Sequence, residues 1–177
     1  MSDTLDSLRA LLDAEGGLIA DLLSSNADDG VSNNGPAAPH GVAQMAAAGP
    51  RAEGRREQYE LLIEAVYEGY LLHYRTPRIV NCAEADLGLL AGDRLYALGL
   101  AHLVKLGDVE AVAELADVIT LSALAHASGN PELAYAVWTA GARAVGWGTS
   151  TPHEHAKALV RSGSPDALEA LRSLTHA

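Results

Sequence analysis

Beyond Arg55 the chain is punctuated by helix-stop and helix-start signals at intervals that suit only short helices. Gly107-Asp108 offers a glycine to close one helix and a carboxylate to cap the next, and Gly129-Asn130-Pro131 repeats the device with a proline at a first helical position. Thr151-Pro152-His153-Glu154 reads as a capping box, and Ser164-Pro165-Asp166 opens a last short helix. Between these signals apolar residues recur every three or four positions. Tyr59, Leu62, Ile63, Val66, Tyr67, Tyr70 and Tyr74 form one such face, closed by Thr76-Pro77. Asn81-Cys82-Ala83-Glu84 then caps a helix running to Gly107 that is apolar on nearly all sides, and a helix of that kind is expected to be buried. Val112, Leu115, Ala116, Ile119 and Ala123 mark the next helix, and Val137, Trp138, Ala144 and Val145 the one after it. No segment alternates with period two. The class predicted is all-α, with five or six helices bundled over residues 55–177 as a helical oligomerisation and ligand domain.

The three caps that begin at Gly107, Gly129 and Gly163 lie 22 and 34 residues apart. The second spacing equals a tetratricopeptide period, but that repeat's tryptophan, glycine and tyrosine pattern is missing, so the likeness is read as shared capping chemistry. A helical-repeat-like adaptor that binds a partner protein stays open as an alternative.

Ahead of this domain, Leu5, Leu8, Leu12, Ile19, Leu22 and Leu23 recur at helical spacing behind an Asp3 or Thr4 cap. Gly16 and Gly17 weaken that helix by about 1 kcal/mol each relative to alanine, which leaves it marginal in isolation. Residues 1–23 are therefore expected to be an amphipathic docking helix, with Leu5, Leu8, Leu12, Ile19 and Leu22 meeting a partner. Residues 24–54, rich in Ser, Asn, Gly, Pro and Ala without periodicity, are expected to be a disordered linker. Its reach as a flexible coil is about 30 Å.

Charge and composition narrow the function. The 12 basic residues against 23 acidic ones give a formal charge of −11, which disfavours a nucleic-acid partner. Cys82 is the one cysteine, so no internal disulfide or cysteine-rich metal cluster is possible and a reducing compartment fits. The acidic start is unlike a signal peptide. The longest apolar window, Leu87 to Leu106, carries Asp93, Arg94 and Lys105, and is expected not to span a membrane.

The seven histidines show no metal-ligand spacing. His153 and His155 fall on opposite sides of a helix, whereas one-helix zinc ligation wants a spacing near four. His73, His102 and His126 stand on separate helices. Glu57, Glu60, Glu64 and Glu68 make an acidic ladder without the histidines of a di-iron bundle, and read as a solvated face. Nucleophile elbows, phosphate-cradling loops and dinucleotide fingerprints are missing. No catalytic or metal-binding residue is assigned, and the chain is expected not to be an enzyme.

Small residues are the remaining signal. Gly88, Gly92 and Gly99, with Ala91, Ala97 and Ala101, lie along a leucine-rich helix, and Gly141, Gly146 and Gly148 surround Trp147. They permit either close helix approach or room for a ligand, in a chain that has no Phe to fill gaps. On the second reading Leu90, Gly92, Tyr96, Leu98, Gly99, Leu103, Ile119 and Trp138 would line an apolar site. The same helices are expected to self-associate.

Two family resemblances bear on that ligand. The run Leu89-Leu90-Ala91-Gly92-Asp93-Arg94-Leu95-Tyr96-Ala97-Leu98, followed by Gly107-Asp108, resembles a helix of polyprenyl diphosphate synthases over about 30 residues. Those enzymes hold magnesium and diphosphate with two aspartate-rich motifs, and here the adjacent pair Asp28-Asp29 has no third aspartate, so the resemblance implies at most an isoprenoid-binding cavity. The layout of acidic helix, uncharged tether and apolar helical domain resembles the small helical subunit of mycobacterial nickel-iron uptake hydrogenases. That resemblance implies a non-catalytic scaffold. Leu5 to Leu23 would dock on respiratory enzyme subunits, Ser24 to Gly54 would be the tether, and Tyr59 to Val145 would form the wall of a stalk conducting menaquinone. It further implies a homo-oligomer with no covalently bound cofactor, placed in the cytoplasm with peripheral contact at the inner face of the cell membrane.

Overall fold

The computed structural model describes residues 2–17, 20, 23, 41–80, 82 and 84–175. Among them the fold is all-α, as expected. The helices are α1 Ser2–Glu15, α2 Val42–Ala48, α3 Arg56–Tyr74, α4 Ala85–Lys105, α5 Val109–Ala127, α6 Pro131–Trp147, α7 Thr151–Arg161 and α8 Ala167–Thr175, with a 3-10 turn at Pro50–Ala52. The chain forms two compact units: Met1–His40 with Glu60–His102, and Gly41–Tyr59 with Leu103–Ala177. The division by sequence into docking helix, linker and one domain is thereby redrawn.

The capping chemistry explains the helix starts. Asp108 accepts from the Ala111 N–H at 3.0 Å and Asn130 from Leu133 at 2.9 Å, each satisfying a donor that its helix cannot. Gly107 and Gly129 end the preceding helices with φ of 77° and 69°, the left-handed region open to glycine. One cap sits a residue earlier than expected. Ser150 caps α7, its Oγ accepting from His153 N at 3.3 Å, so Thr151 and Pro152 are already helical.

In the first unit Leu8 and Leu12 are fully buried with Ala65, Ile79, Val80, Ala91, Leu95 and Leu98, and Leu5, Leu11 and Leu23 pack against that core partly buried. The marginal helix has found its partner inside its own chain, which corrects the expectation that Leu5, Leu8 and Leu12 face another protein. Ile19 and Leu22 lie outside the described residues. The acidic ladder is also corrected. Glu64 and Glu68 are 4% and 0% exposed, because Arg78 folds back over them after Pro77: its Nη2 donates to Glu64 at 2.6 Å and its Nε to Glu68 at 3.1 Å. The backbone N–H groups of Arg78 and Ile79 donate to the other Glu68 oxygen at 2.7 and 2.8 Å. Burial opposes the guanidinium charge, but the two glutamates outweigh it and raise the Arg78 pKa.

In the second unit α6 is the central element, contacting α2, α5, α8 and the 3-10 turn. The expected linker over 24–54 lies outside the described residues as far as 40, and from 42 it is helix, with Val42, Ala43, Ala46 and Ala47 buried. Alanines leave no bulk between backbones, so α2 rests on α6 at Gly146, where a Cβ would press on the Ala46 carbonyl.

Candidate functional site

The eight residues read as an apolar ligand site divide between the two units. Leu90, Gly92, Tyr96, Leu98 and Gly99 belong to the first unit, and Leu103, Ile119 and Trp138 to the second. Leu90 is 59% exposed, whereas Leu98, Leu103 and Trp138 are core. The glycines carry no void beside them. A Cβ on Gly92 would lie 2.6 Å from the His73 ring, and one on Gly99 would lie 2.9 Å from the Leu62 carbonyl and press on Val66. Of the two readings of these small residues, close approach of α3 and α4 holds within this unit. Gly88 differs, since a Cβ there would sit 3.6 Å from Cys82 Cβ in ordinary contact. Gly88→Ala is thus expected to raise stability by about 0.5–1 kcal/mol, measured by urea unfolding, through helix propensity and a less free unfolded chain.

The tyrosine face of α3 is likewise internal. Tyr59, Tyr67 and Tyr70 are buried; Tyr67 and Tyr70 stack with centroids 5.6 Å apart, and Arg78 lies 5.2 Å from the Tyr67 ring centre. Tyr74, at the end of that face, is 37% exposed. Tyr96 stacks on His73 at 5.3 Å, its hydroxyl is buried without a hydrogen-bond partner among the described residues, and burial pushes its pKa up. His73 Nε2 lies 3.1 Å from Asp93 Oδ1, out of line for a hydrogen bond.

α4 departs most from expectation. Instead of being buried all round, it leaves Asp86, Leu89, Leu90, Asp93, Arg94, Ala97 and Ala101 exposed along one stripe. Leu89 and Leu90 are 43% and 59% exposed, so two large apolar side chains meet water beside a matched acid and base. By length and composition α4 is also long and apolar enough to cross a membrane, and 39% of its most apolar stretch is buried in the fold.

No protein-family model, curated protein or solved structure matches the chain. The functional reading therefore rests on its own residues.

Two polar clusters in the second unit are not among the sites read from the sequence. Glu114 on α5 is buried and shared: His153 Nε2 lies 2.7 Å from one oxygen and Lys157 Nζ 2.9 Å from the other. Lys157 also reaches Asp117 at 2.8 Å and Glu154 at 2.8 Å. Glu114, His153 and Glu154 are grouped closely enough to hold a metal ion, but the Lys157 ammonium already supplies a cation to both carboxylates. Burial opposes its charge, and the hydrogen bonds to Asp117, Glu114 and Glu154 override that and raise its pKa. The i, i+4 pair His153 and Lys157 was the missed signal, since both lie on the α7 face turned to α5.

The second cluster closes the α5 N-terminus. Asp108 receives the Tyr59 hydroxyl and Arg51 Nη2, the latter at 2.8 Å, while Arg51 Nη1 donates to Glu110 at 2.6 Å. Burial and the Asp108 carboxylate push the Tyr59 phenol up to about 12. Burial would raise Asp108, but bonds from Tyr59, Ala111 N–H and Arg51 hold it below the usual value of 3.8; hydrogen bonds from Lys157 and Arg161 do the same for Asp117 against burial. Groups with depressed folded pKa values stabilise above the unfolded value and lose that contribution as pH falls through the folded one. The thermal unfolding midpoint is expected to be level near neutrality and to fall below about pH 4, less steeply in Asp108→Asn. An unchanged acid slope in that variant would remove Asp108 from the account.

Proposed function

We propose that the chain is a non-catalytic helical scaffold that pairs with a second copy of itself through the exposed stripe of α4. The observation that carries this is the self-complementary order Leu90, Asp93, Arg94, Ala97 on an outward face. In an antiparallel pairing centred between residues 93 and 94, Asp93 faces the other copy's Arg94, and Leu90 faces its Ala97. Large packs on small, and each charge meets its opposite. The present partners yield cheaply, for Arg94 reaches Glu15 at 3.4 Å with both side chains substantially exposed, and such pairs contribute about 0–1 kcal/mol.

A long isoprenoid such as menaquinone finds no room beside Gly92 or Gly99, so in this reading it would bind along the same stripe, in competition with the second copy. The layout-level resemblance to a hydrogenase subunit supports a scaffold of this kind, with docking on respiratory enzyme subunits reassigned away from Leu8 and Leu12. Sedimentation equilibrium of the full chain tests the proposal. The expected mass is about twice 18.4 kDa at micromolar concentration, falling to one chain in Leu90→Glu. A wild-type monomer would refute it, and solvent extraction of the natively purified protein then decides whether lipid occupies the stripe.

A further inference from the structure

We propose that the cleft bounded by the end of α6, the start of α7 and the end of α8 binds a small planar aromatic anion. Arg143, Trp147, Ser150, His153 and Ser173 line it, and its volume of about 390 Å³ is of small-molecule size. Two features point to one ligand chemistry.

Trp147 is 42% exposed while the other tryptophan, Trp138, is core. An indole left in the wall of a concavity is a stacking surface for a ring. Arg143, one turn earlier on α6, lies with its guanidinium 5.4 Å from the Trp147 ring centre and has no carboxylate partner among the described residues. In a chain of charge −11 that unneutralised cation marks a place for an anion.

His153 also lines the cleft, its side chain 6% exposed and its Nε2 held 2.7 Å from Glu114. The α7 N-terminus, entered through Ser150, adds positive potential on the same side as Arg143. The site lies in the second unit and does not depend on the self-pairing reading.

The test is a titration of the full chain followed by amide and indole NMR, using 4-hydroxybenzoate as the probe and 4-hydroxybenzyl alcohol and tyramine as its neutral and cationic counterparts. The expected result is saturable shifts at the Trp147 indole N–H and the Ser150 and His153 amides, with half-saturation near about 1 mM or tighter. The acid should bind at least about tenfold more tightly than the alcohol, and tyramine more weakly still. Arg143→Ala should lose about tenfold for the acid and leave the alcohol unchanged, with partial recovery in Arg143→Lys. Equal binding of the three probes, an acid affinity indifferent to Arg143→Ala, or shifts that do not saturate by about 10 mM would each overturn the proposal.

Discussion

Arg78→Met is expected to destabilise the protein by about 3–5 kcal/mol, the loss typical of removing one partner from a buried charge cluster. Arg78 neutralises Glu64 and Glu68 at once, and both carboxylates are buried one turn apart on α3. Without the guanidinium, Glu68 keeps the N–H groups of Arg78 and Ile79, but Glu64 loses the bond at 2.6 Å and the two acids repel each other in a medium that screens poorly. Urea unfolding followed by circular dichroism reads the loss. The triple change Glu64→Gln, Glu68→Gln, Arg78→Met should recover part of it, because amides are cheaper to bury than unpaired carboxylates. A loss below about 1 kcal/mol in the single variant would mean that Arg78 is a surface residue and the buried pair is misassigned.

The second large effect comes from the meeting of Gly49 and Gly146. A Cβ on Gly49 would lie 2.5 Å from Gly146 Cα, and one on Gly146 would lie 3.2 Å from Ala46 Cα and closer still to its carbonyl. Helix propensity alone would reward Gly146→Ala by about 1 kcal/mol. The obstacle is backbone, which cannot rotate aside as a side chain does, so overpacking of about 3 kcal/mol or more should prevail. Gly49→Ala and Gly146→Ala are therefore both expected to lower the unfolding midpoint, opposite in sign to Gly88→Ala. Neutral or stabilising behaviour at either position would show that α2 and the turn after it do not rest on α6 as described.

These positions show what the sequence could carry. Helix starts were legible because Asp108 and Asn130 act on their own next turns, an interaction written into neighbouring residues. The same locality failed at α7, where both Ser150 and Thr151 can cap and the chain took the earlier one. Residues 42–48 carried no readable periodicity, since alanine and valine face both ways, and only the backbone contact with Gly146 reveals the helix as a packed element. Glu64 and Glu68 looked solvated because their neutralising partner, Arg78, arrives through a turn after the helix. Glu114 lies about 40 residues from His153 and Lys157 on a different helix, so the i, i+4 spacing of the latter two could not name their partner. The apolar run of α4 misled in the other direction, because near-uniform hydrophobicity conceals which face lacks a partner. Small residues announced close helix approach, but not that His73 and Val66 would occupy the space a ligand needs.

The central claim, antiparallel pairing through α4, is tested most directly by exchanging its charges in separate chains. Asp93→Arg alone should place an arginine against the other copy's Arg94, and Arg94→Asp alone should place an aspartate against its Asp93, so each variant by itself should sediment as a monomer. Mixed in equal amounts, the first variant presents arginine at both positions 93 and 94, and the second presents aspartate at both. Every facing pair is then one acid against one base, and the mixture should return to about twice 18.4 kDa. A mixture that stays monomeric while the unmodified chain is dimeric would contradict this pairing.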